Sequence, residues 1–269
     1  MDFTRILVAV DALNGRSAAF ERAVALARRF DAELYLLLAV PVHQGFSFRA
    51  KDRFARKLQL LEQAERAGVR AHAAEQSGDP AEIIELHANS RRVDLIVIGS
   101  EPQTAWGRDR SLVADRVIRR TQIPTLVIAG NSPEAAGDFR HVMAAVDLSP
   151  ASRDVLEGAV RLIPGGGAAR LTVLHAGQES DAARADVQAL LSGVPAGVEA
   201  RIEMTPDSPA GAILEKAASL DVDLVVVGRS QGFKLFGSTA RRVLRRSERA
   251  LLVVPGTEST ARTGGQHAA

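Results

Sequence analysis

The chain has 269 residues, a formal net charge of +2, 46% hydrophobic, 25% charged and 4% aromatic residues, and no cysteine. That length fits one large or two ordinary domains with a core of Leu, Val, Ile and Ala. The absence of cysteine excludes disulfides, a thiol nucleophile and thiolate metal sites, and acids interspersed among the arginines argue against a nucleic-acid footprint. No apolar run approaches the roughly 18 residues of a membrane span, and Met1 to Arg5 lacks a signal-peptide layout. The expectation is a cytoplasmic protein.

Ile6 to Val10 is a continuous apolar run, as a buried parallel strand requires, and it ends at Asp11. Asn14 and Ser17 offer N-caps to a helix with Phe20, Val24 and Ala27 on its apolar face. Leu34 to Val40 reads as a second strand and Pro41 to Ser47 as a loop. Phe54, Leu58 and Leu61 recur at helical spacing, which predicts a helix from about Arg49 to Arg66, closed by Gly68. A third strand is expected over Val69 to Ala74. Asp79-Pro80 opens a helix in the cap-then-proline order. Asp94 to Gly99 is a strand, Leu112 to Arg120 a helix, and Thr125 to Ala129 a strand.

Residues 131–139 read as a linker, and the order then restarts. Val142 to Val146 is a strand ended by Asp147, and Ser149-Pro150 is expected to cap the next helix. Leu171 to His175, Val198 to Met204, Leu224 to Val227 and Leu251 to Val254 read as strands. Asp181 to Leu191, a segment opened by Ser208-Pro209, and a segment from Ser238 read as helices. Residues 257–269 are polar and glycine-rich and are expected to be a disordered tail.

The restart is a sequence repeat. Pro80 to Gly99 matches Pro209 to Gly228 at ten positions, with Asp94-Leu95 on Asp223-Leu224 and Gly99 on Gly228. Residues 1–130 and 140–256 are therefore expected to be duplicated domains, each alternating five strands with four helices. Such alternation predicts an α/β fold, a parallel sheet with helices on both faces. Ligands in open α/β sheets bind beyond the carboxyl ends of the strands, where Asp11, Gly99, Asp147 and Gly228 all lie.

From Asp223 to Leu244 a strand, a glycine turn and a helix start follow one another, a pattern that aims backbone N–H groups at an anion. Gly232 to Thr239 even has the spacing of a phosphate-binding P-loop. Ser238 stands where the lysine belongs, so a P-loop NTPase is rejected, and Gly237-Ser238 reads equally as a helix N-cap. The six histidines form no helix-borne metal pair. His175, at a strand end, reads as packed rather than catalytic. The basic pairs Arg119-Arg120, Arg241-Arg242 and Arg245-Arg246 read as solvated helix faces.

Taken in order, Ile6-Leu-Val-Ala-Val-Asp11, Asp94-Leu-Ile-Val-Ile-Gly-Ser100 and Pro124-Thr-Leu-Val-Ile128 recur as Val142-Met-Ala-Ala-Val-Asp-Leu-Ser149, Asp223-Leu-Val-Val-Val-Gly-Arg229 and Leu251-Leu-Val-Val-Pro255. The chain resembles a tandem universal stress protein, two UspA-type domains in one polypeptide. The resemblance implies strand order 3-2-1-4-5 in each domain and, in some members, ATP held by a Gly-x2-Gly-x9-Gly-Ser/Thr loop. By position it would put Asp11 and Asp147, with the backbone at Ala39 and Ala176, beside adenine. Gly99 and Gly228 would begin the phosphate loops, and Gly232, Gly237, Ser238 and Thr239 would continue the second one.

Both halves depart from that loop. Pro102 replaces the second glycine of the first half, and Ser111-Leu112 stands where Gly-Ser is expected. In the second half Gln231 precedes Gly232 and the loop is short, as in members that do not bind ATP. The expectation is a non-enzymatic regulatory module, with ATP or another adenine nucleotide in the second half, Arg229 and Lys234 beside its phosphates, and the first half degenerate. The alternatives are a nucleotide-using enzyme such as a slow ATPase, and a scaffold with no nucleotide site. The two halves are expected to pair through their fifth strands as a pseudo-dimer, with a homodimer and an unknown protein client as further partners, and neither nucleic acid nor membrane.

Overall fold

The structure is a computed structural model. It describes residues 3–10, 17–40, 50–99, 110–129, 137–165, 169–229 and 237–256, without the side chains of 110 and 111. The first half runs β1 (Arg5–Val10), α1 (Ala18–Phe30), β2 (Glu33–Val40), α2 (Ala50–Arg66), β3 (Ala71–Ser77), α3 (Pro80–Arg91), β4 (Leu95–Gly99), α4 (Arg110–Arg120) and β5 (Thr125–Ile128). The second repeats it as β6 (His141–Val146), α5 (Ser152–Leu162), β7 (Ala169–Ala176), α6 (Asp181–Leu191), β8 (Val198–Thr205), α7 (Pro209–Ser219), β9 (Leu224–Arg229), α8 (Ser238–Arg246) and β10 (Ala250–Pro255).

All ten strands form one sheet in the order β3-β2-β1-β4-β5-β10-β9-β6-β7-β8. Each half thus has the order 3-2-1-4-5, parallel throughout. The halves join where β5 and β10 run antiparallel, with Leu126 opposite Leu252. Both joining strands are apolar and buried along that seam. As bare edges they would template aggregation, and each Val or Leu they bury contributes roughly 1.5–3 kcal/mol. The expected pairing through the fifth strands is the one observed.

Helices α1, α2, α5 and α6 cover one face with a core shared by both halves, a single cluster that includes Phe20, Leu60, Leu156 and Val187 along with side chains of β1 and β6. Helices α3, α4, α7 and α8 cover the other face. Central strands β1, β4, β6 and β9 are apolar runs because both their faces are covered.

The repeated Asp-Leu pair has a structural purpose. Asp94 accepts hydrogen bonds from Thr4 N at 2.8 Å, Thr4 Oγ1 at 2.8 Å and Arg5 N at 3.2 Å. Its counterpart Asp223 accepts from Arg140 N at 2.8 Å and His141 N at 2.7 Å. Each carboxylate satisfies the backbone at the entry of its half's first strand, and both lie at the sheet end opposite the glycines.

Two arginines fasten the halves. Arg29, at the end of α1, donates to the carbonyls of Leu162 at 2.8 Å, Arg161 at 3.2 Å and Ile163, so it caps α5 of the other half. Arg229, at the end of β9, donates to the carbonyls of Ile118 at 2.6 Å and Thr121 at 2.8 Å and to Gln122 Oε1, so it caps α4. A cation at a helix C-terminus meets both the orphan carbonyls and the negative end of the dipole. Arg22 also stacks over Phe139, 4.0 Å from the ring centroid.

Two expectations are corrected. The third strand is Ala71–Ser77 rather than Val69 to Ala74. Its last residues, Glu75-Gln-Ser77, are polar because β3 lies at the sheet margin. Ser149-Pro150 does not cap α5, which starts at Ser152 after Ala151 and has no side-chain cap bond. Ser17 does cap α1, accepting from Phe20 N at 3.4 Å. Asn14, part of the linker and the whole segment 257–269 lie outside the described residues.

Candidate functional site

Strand order in the second half reverses at β6, whose neighbours β9 and β7 are reached by connections leading in opposite directions. A cleft opens at the carboxyl ends of β6 and β9, the place where open α/β sheets bind ligands. It encloses about 140 Å³. Val146 and Asp147 line it from the end of β6, Ala176 from β7, and Val227 and Gly228 from β9. The first turns of α7 and α8 close it with Pro209, Ile213 and Thr239.

Asp147 shapes the mouth. Its Oδ1 accepts from Ser149 N at 3.0 Å and from Ser152 Oγ at 3.2 Å. The bond to Ser149 makes an Asx turn, and Leu148 between them lies in the left-handed region at φ 61°. A branched, partly buried residue held there is strained. Burial pushes the Asp147 carboxyl up, and hydrogen bonds from Ser149 and Ser152 outweigh it, so the net shift is downward and the carboxylate is ionised at neutral pH. Ser149-Pro150, expected to cap the helix, does not do so, and Asp147 ties the β6 end to the first turn of α5.

A Cβ built at Gly228 would lie 3.1 Å from Val155 Cγ2, so the Val155 side chain would have to give way by a few tenths of an ångström. His175, behind the cleft, is buried, and its Nδ1 is 3.1 Å from the Val146 carbonyl, so Nδ1 carries the donated hydrogen. Thr239 reaches the cleft, whereas Gly237 and Ser238 line a separate groove between α4 and α8. Gly237 is the N-cap of α8. In the first half Ala39 is buried in β2 and Gly99 closes β4 opposite Ile128. Asp11, Pro102, Gly232 and Lys234 lie outside the described residues. Among the described residues no cluster of His, Asp and Glu could hold a metal ion, and no helix is long and apolar enough to cross a membrane.

The model of the universal stress protein family matches residues 2–129 and again 138–255. The chain belongs to the universal stress protein family. Universal stress protein MJ0531 of Methanocaldococcus jannaschii is 30% identical over 141 residues, covering 47% of this chain and 82% of its own. A universal stress protein structure from Archaeoglobus fulgidus superposes with a TM-score of 0.71 at 19% identity, covering 96% of this chain and 98% of the other. A protein of unknown function from Pseudomonas aeruginosa PAO1 superposes at 0.70 and 19% identity, covering 94% and 93%. These two establish that the fold extends over both halves.

One expectation for the second-half loop is corrected. Arg229 was expected to stand by the phosphates of a nucleotide. Its guanidinium is instead spent on the α4 carbonyls and Gln122. Pro209, Ile213 and Val155 are among the cleft residues not expected from the sequence. The Ser208-Pro209 helix start was legible and marked the wall, but nothing local showed that α7, packed on β7 and α8, begins at the cleft.

Proposed function

We propose that this universal stress protein is a cytoplasmic, non-enzymatic regulatory module that binds an adenine nucleotide in the second-half cleft. The observation that carries the reading is the cleft at the β6/β9 reversal, apolar inside and with a helix N-terminus at one end. At about 140 Å³ it is smaller than the roughly 300–1,000 Å³ of pockets that enclose a whole drug-sized ligand. It suits a planar base, with the phosphates outside it toward α8. Asp147 and the Ala176 backbone would meet the base. Gly228, Gly232 and Thr239 would meet the sugar and phosphates through N–H and hydroxyl donors, while Gly237 and Ser238, expected to join them, line the α4/α8 groove. The helix dipole contributes only about 0.3–1 kcal/mol, so those bonds, each about 1.5–3 kcal/mol to a charged group, must supply the rest. Asp11, Ala39 and Gly99 are the corresponding first-half residues, and Pro102, which has no N–H to donate, supports a weaker site there.

Calorimetry on the full chain with ATP, AMP and adenosine tests this. One site is expected, with a dissociation constant in the tens of micromolar, about 6–7 kcal/mol, and Gly228→Val should abolish it by filling the cleft. Two equal sites, or binding unchanged by Gly228→Val, would refute the placement. Release of ADP on prolonged incubation would overturn the non-enzymatic reading.

A further inference from the structure

Five of the six arginines in the basic pairs that look like separate solvated faces in the sequence converge in space, while Arg120 pairs with Glu85 instead. A groove of about 540 Å³ runs between α4 and α8. Arg119 lines it from the first half, and Ser238, Arg241, Arg242, Arg245 and Arg246 line it from the second. Asp115 answers two of these charges: its Oδ2 is 3.1 Å from Arg119 Nη2, and its Oδ1 is 3.5 Å from Arg241 Nε. Even so, the Nε atoms of Arg119 and Arg241 are shielded from solvent without a hydrogen-bond partner. The second of those distances is an ion pair without hydrogen-bond geometry. Arg242, Arg245 and Arg246 are exposed and form no ion pair with a described residue.

Helix stability does not explain this grouping. Arg241 with Arg245, and Arg242 with Arg246, are like-charge neighbours one turn apart, an arrangement that destabilises a helix. The nine residues of α8 include no acid to offset them. The dipole favours Arg245 and Arg246 in the last turn but does nothing for Arg241 and Arg242. A multiply charged anion in the groove would relieve the repulsion and supply acceptors for the two shielded Nε groups.

We propose that the α4/α8 groove binds a small polyphosphate anion across the seam between the halves. Guanidinium forks match phosphate oxygens in pairs. The groove volume falls in the small-ligand range of roughly 300–1,000 Å³, and a chain of net charge +2 lacks the broad positive field that nucleic acids need. The site is distinct from the strand-end cleft, since Ser238 faces one and Thr239 the other. It therefore does not rest on the nucleotide reading.

Inorganic tripolyphosphate, titrated calorimetrically into the full-length protein, is the direct probe. The wild-type chain should bind it, and Arg242→Ala with Arg245→Ala should weaken binding by about tenfold or more per arginine. Both side chains are exposed, so circular dichroism should show the fold intact. Adenosine, which has no phosphate, should not compete. No binding by the wild type, or equal binding by a folded double variant, would overturn the proposal, and competition by adenosine would move the anion into the cleft. Tighter binding of a polyglutamate peptide, a single-stranded RNA or an anionic vesicle than of tripolyphosphate would overturn the assignment to a small anion.

Discussion

Asp115 on α4 and Arg241 on α8 stand at matching positions of the two halves and meet across the seam, Arg241 Nε 3.5 Å from Asp115 Oδ1. The match follows from the strands behind them. Ile96 pairs with Thr125, and Val225 with Leu251, which makes Thr125 and Leu251 counterparts. Leu126 therefore faces its own counterpart, Leu252, and the pseudo-twofold axis passes between them. Two copies of the first half would set carboxylate against carboxylate at this point, and two copies of the second arginine against arginine. The pair thus favours the mixed arrangement over either homotypic one. A double-mutant cycle of Asp115→Ala and Arg241→Ala in urea denaturation should give a coupling of about 0.5–1 kcal/mol, modest because Arg241 is partly exposed. Asp115→Ala alone should be the costlier single change, since it leaves Arg119 and Arg241 together without an acid.

The arginine caps should matter more. Arg229→Ala and Arg29→Ala each remove several charge-assisted bonds and strand helix carbonyls of the other half. Each should cost about 2–3 kcal/mol. The two act on opposite faces of the sheet, so their effects should add within about 0.5 kcal/mol. Lysine at either position should recover only part of the loss, because a point charge cannot fork between carbonyls. Full recovery by lysine would show that charge alone suffices.

The aspartate braces make a paired prediction. Asp94→Ala and Asp223→Ala each leave backbone N–H groups at a strand entry without their acceptor, at about 1–3 kcal/mol. Amide exchange should quicken at Thr4 and Arg5 in the first variant and at Arg140 and His141 in the second. Exchange that stays slow in both would mean that the strand entries are held by other contacts.

Acid should loosen the cleft. The Asp147 carboxyl lies below its ordinary value, because the hydrogen bonds from Ser149 and Ser152 outweigh its burial. A group depressed on folding contributes stability that is fully present above its unfolded pKa, about 3.9. That contribution is lost as pH falls through the lower folded value. The stability gap between wild type and Asp147→Asn should therefore be constant above about pH 5 and shrink below about pH 4. A gap that widened on acidification would reverse the sign of this argument.

The duplication, the alternation of elements and the joining of the fifth strands were legible because they depend on apolar runs and glycines that repeat in order. The bounds of β3 were not. At a sheet margin polar residues such as Glu75 and Gln76 are allowed, so the apolar signal fades before the strand ends. The uses of Arg229 and of the paired arginines were hidden for a different reason. Each depends on contacts between residues more than a hundred positions apart, brought together only by the pseudo-twofold axis. Asp147 was half legible: its place at a strand end could be read, but not the αL conformation at Leu148 that folds Ser149 back onto it.

The two strands left at the outer margins of the sheet, β3 and β8, differ from the pair at its centre. They carry charge where β5 and β10 are apolar. Glu75 pairs with Arg53 at 2.6 Å, Glu199 with Arg201 at 2.5 Å, and Glu203 with Lys216 at 2.9 Å. A further strand docking there would have to strip water from these groups, which sheet margins commonly use to refuse partners. Joining the fifth strands within one chain therefore uses up the one sticky margin of each half and leaves two that end the sheet. Charge on both outer strands thus opposes the addition of a further strand from another copy, and the helical layers are the faces left without that barrier.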